Sequence, residues 1–205
     1  VALDSFANLK AAVIRFSHRN DLSDVIDDIV KLAENRIDNR LRITANNERA
    51  TASASTSDRF LALPNRFLEM RRFNLIKDSF YYELSYLSPE SMHIYGQAGI
   101  PRYYTVTSQI EFDRTPADTY SLEMSYWEKI EPLSDSNTTN NVLTNFPQIY
   151  LQSCLAELHF NYTQNNEEAA KHLQQFNFLV DEANAEDLRG RYGPAPVMRP
   201  ERAAP

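Results

Sequence analysis

Residues 120–127 read Tyr120-Ser121-Leu122-Glu123-Met124-Ser125-Tyr126-Trp127. Tyr120, Leu122, Met124 and Tyr126 alternate with smaller or polar residues. Side chains of a strand point alternately to opposite faces, so this is a strand with one buried face. It is the clearest strand signal in the chain, and it sits between two regions of helical period. Working outward from it, Arg102–Thr107 and Gln109–Asp113 read as a hairpin, and Thr115-Pro116-Ala117-Asp118 as a turn. Phe80–Leu87 alternates again, and Ala50–Ser57 alternates small with polar residues. Ser88-Pro89-Glu90-Ser91 reads as a cap and first turn with proline at N1, closed by Gly96 and Gly99.

Helical spacing takes over on both sides. Phe6, Leu9, Val13 and Phe16 fall three or four apart, with Asp4 or Ser5 as the N-cap. Asp21 reads as the cap of a second helix, with Asp24 in capping-box position and an apolar stripe through Leu22, Val25, Ile26, Ile29, Ala33, Ile37 and Leu41. After the polar loop Leu133–Asn141, one helix carries Val142, Phe146, Ile149, Tyr150, Leu151, Leu155 and Leu158. A further helix carries Ala169, Leu173, Phe176, Leu179, Val180 and Leu188. Helices, then strands, then helices again favour α+β over a doubly wound sheet. The expected architecture is a helical bundle core made of residues 1–44 and 133–189, an inserted antiparallel β-rich region at 45–132, and an extended C-terminal tail at 190–205. The tail holds four of the ten prolines and two of the four glycines, which predicts no regular helix from Gly190 onward.

Composition narrows the function. The chain of 205 residues carries a net charge of −7. That charge is uneven: residues 189–205 hold Arg189, Arg191, Arg199 and Arg202 against Glu201 alone, a local +3 that leaves −10 for the rest. An acidic body argues against a protein that grips nucleic acid through its phosphates. A basic tail on an acidic body points to an acidic partner surface. Arginine supplies 16 of the 21 basic residues, and its planar fork suits interfaces. No apolar run approaches the roughly 20 residues a membrane helix needs. The opening Val-Ala-Leu-Asp-Ser-Phe has no basic stretch followed by an apolar one, so a cytosolic product without a secretory signal is expected.

The chemistry of enzymes is hard to find. His18, His93, His159 and His172 form no HxH or HExxH spacing, so no metal is expected. Cys154 lies among Leu151, Leu155 and Leu158, where a small buried side chain is the plain reading. Gly96-Gln97-Ala98-Gly99 matches the GxxG of KH modules but lacks their basic flanks, and reads as a helix stop. Asp24, Asp27 and Asp28 cluster at a helix start, where the dipole favours carboxylates and solvent solvates them. No enzymatic activity and no cofactor are expected.

Several strings keep their order and spacing across nearly the whole chain. They begin with Arg19-Asn20-Asp21-Leu22-Ser23-Asp24, Ala33-Glu34-Asn35-Arg36-Ile37 and Leu41-Arg42. Leu63-Pro64-Asn65-Arg66-Phe67-Leu68-Glu69-Met70-Arg71-Arg72, Leu87-Ser88-Pro89-Glu90 and Pro101-Arg102-Tyr103-Tyr104 follow. Next comes Thr119-Tyr120-Ser121-Leu122-Glu123-Met124-Ser125-Tyr126. The most specific is Leu133-Ser134-Asp135-Ser136-Asn137-Thr138-Thr139-Asn140, running into Leu143-Thr144-Asn145-Phe146-Pro147 and Tyr150-Leu151. In these strings the sequence resembles the head-to-tail adaptor (connector) proteins of tailed bacteriophages. The resemblance implies a structural protein of the virion neck, made in the host bacterial cytoplasm. It implies a homo-oligomeric ring, usually dodecameric, beneath the portal protein. That ring extends the DNA channel, with DNA only as passing cargo, and offers a docking surface to a downstream tail or nozzle protein. It also implies a C-terminal segment reaching into the portal, here placing Arg189, Arg191, Tyr192, Pro194, Pro196, Met198, Arg199 and Arg202 as portal-binding residues. Asp24, Asp27 and Asp28 become candidates for the channel lining. The alternative is another neck or tail-completion structural protein of the virion.

Overall fold

A computed structural model describes residues 3–192 of the chain. It is α+β and divides into two compact units. One is built from the described parts of Val1–Thr44 and Glu131–Pro205, the other from Ala45–Ile130.

The first unit is helical. Helix α1 (Phe6–Ser17) starts where the Ser5 hydroxyl accepts the Asn8 N–H at 3.4 Å, and ends at His18, which adopts a left-handed φ of 54°. It buries Phe6, Leu9, Ala12 and Val13. Helix α2 (Ile26–Arg40) begins later than its sequence predicts, and Asp21 does not cap it. The Asp21 carboxylate is instead occupied by the Arg19 guanidinium. Residues 22–25 make a turn in which the Leu22 carbonyl accepts the N–H groups of Val25 and Ile26. The expected stripe survives, with Leu22, Ile26, Ile29, Ala33, Ile37 and Leu41 buried, and Val30 joins it.

The stretch expected as one helix from Val142 to Leu158 is split. Helix α3 (Asn141–Asn145) is capped by Asn140, whose side chain accepts the Leu143 N–H at 2.8 Å. Phe146 then leaves the helical region, as a residue before proline does, and Pro147 opens helix α4 (Pro147–Glu157). Helix α4 is buried nearly all round from Ile149 to Glu157 and packs against α1, α2 and α5 (Asn166–Tyr192). A π-type turn at Leu158–Tyr162 and Gln164, with φ of 53°, reverse the chain into α5. Helix α5 carries Ala169, Phe176, Val180 and Ala183 inward. It runs 27 residues and passes Arg189, where the helix was expected to end, through Gly190 to Tyr192. A single glycine costs a helix about 1 kcal/mol, too little to stop one this long.

The second unit holds ten short strands. In order they are β1 (Asn47–Ser53), β2 (Phe60–Leu61), β3 (Phe67–Lys77), β4 (Phe80–Glu83), β5 (Ser85–Tyr86), β6 (Tyr95–Gly99), β7 (Tyr103–Val106), β8 (Ile110–Phe112), β9 (Arg114–Pro116) and β10 (Ser121–Glu128). The alternating stretch quoted first is β10, one of two inner strands of an antiparallel sheet ordered β1-β10-β3-β4. Its partner β3, 11 residues long, carries Phe73 and Leu75 against Met124 and Leu122. A second sheet is ordered β2-β8-β7-β5 and contains the expected hairpin as β7 and β8, but β5 joins it in parallel. The insertion is therefore not wholly antiparallel. Two local readings also change. Gly96–Gly99 is not a helix stop but part of β6, and Thr115-Pro116 is not a turn but part of β9; these two strands pair in parallel. Proline fits there because a two-stranded ladder leaves half its N–H groups facing outward. Asp113 makes this arrangement possible. It is fully buried, accepts the Arg102 N–H at 3.0 Å, and pairs with Arg114 at 3.0 Å.

One apolar cluster joins the two four-stranded sheets, with Phe73 at its centre. Phe73 meets Tyr104 edge-on at 5.1 Å and Phe112 at 5.9 Å. Truncating it removes most of that contact and leaves a cavity. Phe73→Ala should lower stability by about 3–5 kcal/mol, read as a fall in the urea midpoint. A change under about 1 kcal/mol would show that the ring is not central to the core.

Candidate interaction surfaces

The far end of α5 is fixed by side chains on its own unit. Asn184 accepts the Arg42 N–H at 2.8 Å and donates to the Arg40 carbonyl at 3.1 Å. Asp187 accepts the Thr44 N–H at 2.7 Å and the Thr44 hydroxyl at 3.1 Å. Arg40 and Asp181 add an ion pair at 3.5 Å. These bonds hold the last turns of α5 to the end of α2. Arg189 lies exposed just beyond them, and the helix continues through Arg191 and Tyr192. Pro194, Pro196, Met198, Arg199 and Arg202 lie outside the described residues.

Asp24, Asp27 and Asp28 are all exposed, at or just before the start of α2. They are not bare. Asp24 accepts from the Ser23 hydroxyl at 3.1 Å, and Asp28 pairs with Lys31 at 3.3 Å. Asp27 pairs with Lys10 of α1 at 3.2 Å, and Asp135 approaches the same ammonium at 3.6 Å. Exposed pairs of this kind contribute about 0–1 kcal/mol each, so the face stays solvated and anionic.

The structure also gathers groups that spacing did not. Glu34 of α2 is buried, and its Oε1 accepts the Leu133 N–H at 2.8 Å and the Tyr150 hydroxyl at 3.3 Å. Asn140 donates to the Tyr150 oxygen at 2.6 Å and to the Glu131 carbonyl at 2.7 Å. Burial raises the pKa of Glu34 above the usual carboxylate range, with Leu133 and Tyr150 pulling the other way. Burial also raises Tyr150, and the Glu34 charge adds to it. Within the loop, Asn137 Nδ2 donates to the Pro132 carbonyl, and Phe6 N–H donates to the Thr138 carbonyl at 2.7 Å. The polar string Leu133–Asn140 thus reads as a structural lock, since most of its hydrogen bonds go to helices α1 to α4 or to itself.

A half-buried arginine and a buried glutamate join α2 to α4. Arg36 Nε donates to Glu157 at 2.6 Å, and Asn161 donates to its other oxygen at 2.7 Å. Beyond it, the rings of His159 and His172 stack at 5.4 Å and 4°. His159 Nδ1 lies 3.0 Å from the Thr163 hydroxyl, and His172 Nδ1 lies 2.7 Å from Gln152 Oε1. Cys154 is fully buried, and burial pushes its thiol well above its ordinary value. Among the described residues, no group of three or more His, Cys, Asp or Glu side chains could hold a metal ion, and no helix is long and apolar enough to cross a membrane.

These groups build surface and scaffold. The sequence model of the SU10 adaptor protein matches residues 4–200. The chain belongs to the SU10 adaptor family. The family is one of phage head-to-tail adaptors, which gives the chain a structural role in a phage. No curated protein matches it. The match reaches past the last described turn of the adaptor's α5 and takes in Arg191, Tyr192, Pro194, Pro196, Met198 and Arg199. It stops short of Arg202.

Acid is expected to weaken the adaptor's helical unit at the histidine pair. Burial lowers both pKa values from 6.5, and for His172 the neighbouring His159 lowers it further. A depressed pKa favours the neutral ring in the fold. The pair's contribution is therefore present above pH 6.5 and lost as the pH falls through the lowered values. Thermal melts from pH 7.5 to 5 should show a fall in Tm that His159→Gln with His172→Gln removes. An equal fall in both proteins would sink this assignment.

Proposed function

We propose that the chain forms a ring, dodecameric as the resemblance implies, beneath the portal of a tailed phage. The ring extends the DNA channel and offers a docking surface to a downstream tail or nozzle protein. The observation that carries this reading is the SU10 adaptor match over residues 4–200, which runs through α5 into the basic, proline-rich segment. Helix α5 is tied down by Asn184 and Asp187 up to its last turns. It therefore delivers that segment from a fixed point. A proline-rich sequence loses less entropy on binding than a flexible one, which favours such a segment as a binding element. Arg189, Arg191, Arg199 and Arg202 would meet carboxylates on the portal, and Tyr192, Pro194, Pro196 and Met198 would fill its apolar grooves.

Removing the segment is the direct test. The full chain should co-sediment with its portal, and a chain ending at Tyr192, which keeps α5 whole, should lose at least tenfold in affinity. Equal binding by both would remove the segment from the interface. Binding by neither would favour another site in the neck or tail.

The acidic body suits a channel wall, because carboxylates repel phosphates and let DNA slide. Asp24, Asp27 and Asp28 are the proposed lining. Replacing all three with Asn would also release Lys31 from Asp28 and leave Lys10 with Asp135 alone. The wall would then attract phosphate, and DNA ejection from particles carrying the variant should slow severalfold. Unchanged ejection kinetics would place these aspartates away from the DNA.

A further inference from the structure

The antiparallel sheet β1-β10-β3-β4 leaves two strand edges without partners among the described residues, β1 on one side and β4 on the other. Exposed edges invite pairing, and proteins usually blunt them with lysine, proline or a bulge. Strand β4 has none of these. It reads Phe80-Tyr81-Tyr82-Glu83, and all four side chains are exposed, Phe80 by 67% and Tyr81 by 62%. A groove of about 540 Å³ runs beside it, walled by Tyr81, Tyr82, Ile100, Pro101 and Tyr103. Such an aromatic slot fits an extended segment of small residues. Strand β1 is such a segment, with Ala50-Thr51-Ala52-Ser53 at its end.

We infer that β4 of one copy pairs with β1 of the next, so that the sheet continues from subunit to subunit. This rests on the ring reading above. Three features agree on it. The first is direction: β1 and β4 run opposite ways within the sheet. Two copies side by side in one orientation therefore bring β4 against β1 in antiparallel fashion, like every other pair in that sheet.

The second is facing. In register, Ala52, Leu122, Leu75 and Tyr82 share the apolar face, and Thr51, Glu123, Asn74 and Glu83 share the other. Setting Glu83 opposite Arg49 of the next copy puts Tyr82 over Ala50 and Phe80 over Ala52, all on the apolar face, while Tyr81 meets Thr51 on the polar one. The third is complementarity. Large rings cover small side chains, and a carboxylate meets a guanidinium. The nearest cation to Glu83 in its own chain, Arg72, is 3.9 Å away and exposed. The pairing is head-to-tail, using two different surfaces, which is the kind that closes into rings.

Cysteines at Thr51 and Tyr81 test it. Within one chain β10 and β3 separate these positions, roughly 14 Å at about 4.8 Å per strand, beyond the reach of a disulfide. Any bond must therefore join two copies, and the native Cys154 is fully buried. The full chain carrying Thr51→Cys and Tyr81→Cys is oxidised after mixing with portal and run on a denaturing, non-reducing gel. A ladder of multimers is expected, absent from either single variant. Adding Glu83→Arg should cut the ladder at least tenfold, and Arg49→Glu on top should restore it. Dimers from Tyr81→Cys alone would show β4 pairing with itself and overturn the inference. Sedimentation of the same samples reads portal binding separately. Binding without a ladder overturns the edge pairing and leaves the adaptor reading standing. A ladder without binding does the reverse, and neither result overturns both.

Discussion

The helical unit depends on a carboxylate that burial works against. Glu34 sits inside, where ionising it is costly unless the charge is hydrogen-bonded. It accepts from the Leu133 amide and the Tyr150 hydroxyl. Those two bonds draw together α2, α4 and the loop that returns the chain to this unit. Asn140 completes the set by donating to Tyr150 while its own oxygen starts α3. Removing any one member would leave another buried and short of a partner, which costs more than the bond was worth. The loop's conformation, the start of α3 and the seating of α4 are therefore one decision rather than three.

How much of this was legible depends on the range of the interactions. Strand β10 could be read from Tyr120–Trp127 because one face is apolar and the other is not, and its period is a local property. Helix α1 was legible for the same reason, with its cap narrowed to Asp4 or Ser5, of which Ser5 does the capping. The start of α2 was not. Asp21 followed by Asp24 has the spacing of a cap, yet Arg19, two residues back, competes for the same carboxylate and holds it. The parallel pair of β6 and β9 was invisible because nothing in Tyr95–Gly99 or Arg114–Pro116 alternates. Those strands form because the buried Asp113 binds the backbone at Arg102 and Tyr103 and so fixes the chain between them.

The surfaces show the same division. The aspartates at the start of α2 were visible as a cluster, but their lysine partner on α1 was not. The stacked His159 and His172 lie on opposite sides of a chain reversal that only the π-type turn and Gln164 create. The aromatic run Phe80-Tyr81-Tyr82 read as an ordinary alternating strand. Only the sheet order shows that it lies at an edge, with every side chain exposed.

The division of the chain also bears on how it is made. Helices α1 and α2 leave the ribosome before the inserted unit, but α4, which buries their apolar stripes, follows only after all of Ala45–Ile130. At about 5–20 residues per second, that interval is on the order of ten seconds. The strands of the inserted unit find their partners within that unit and can close in the meantime. Val13, Ile29 and Ile37 wait for α4 through the whole synthesis of the inserted unit, and in that interval their apolar faces are open to wrong partners.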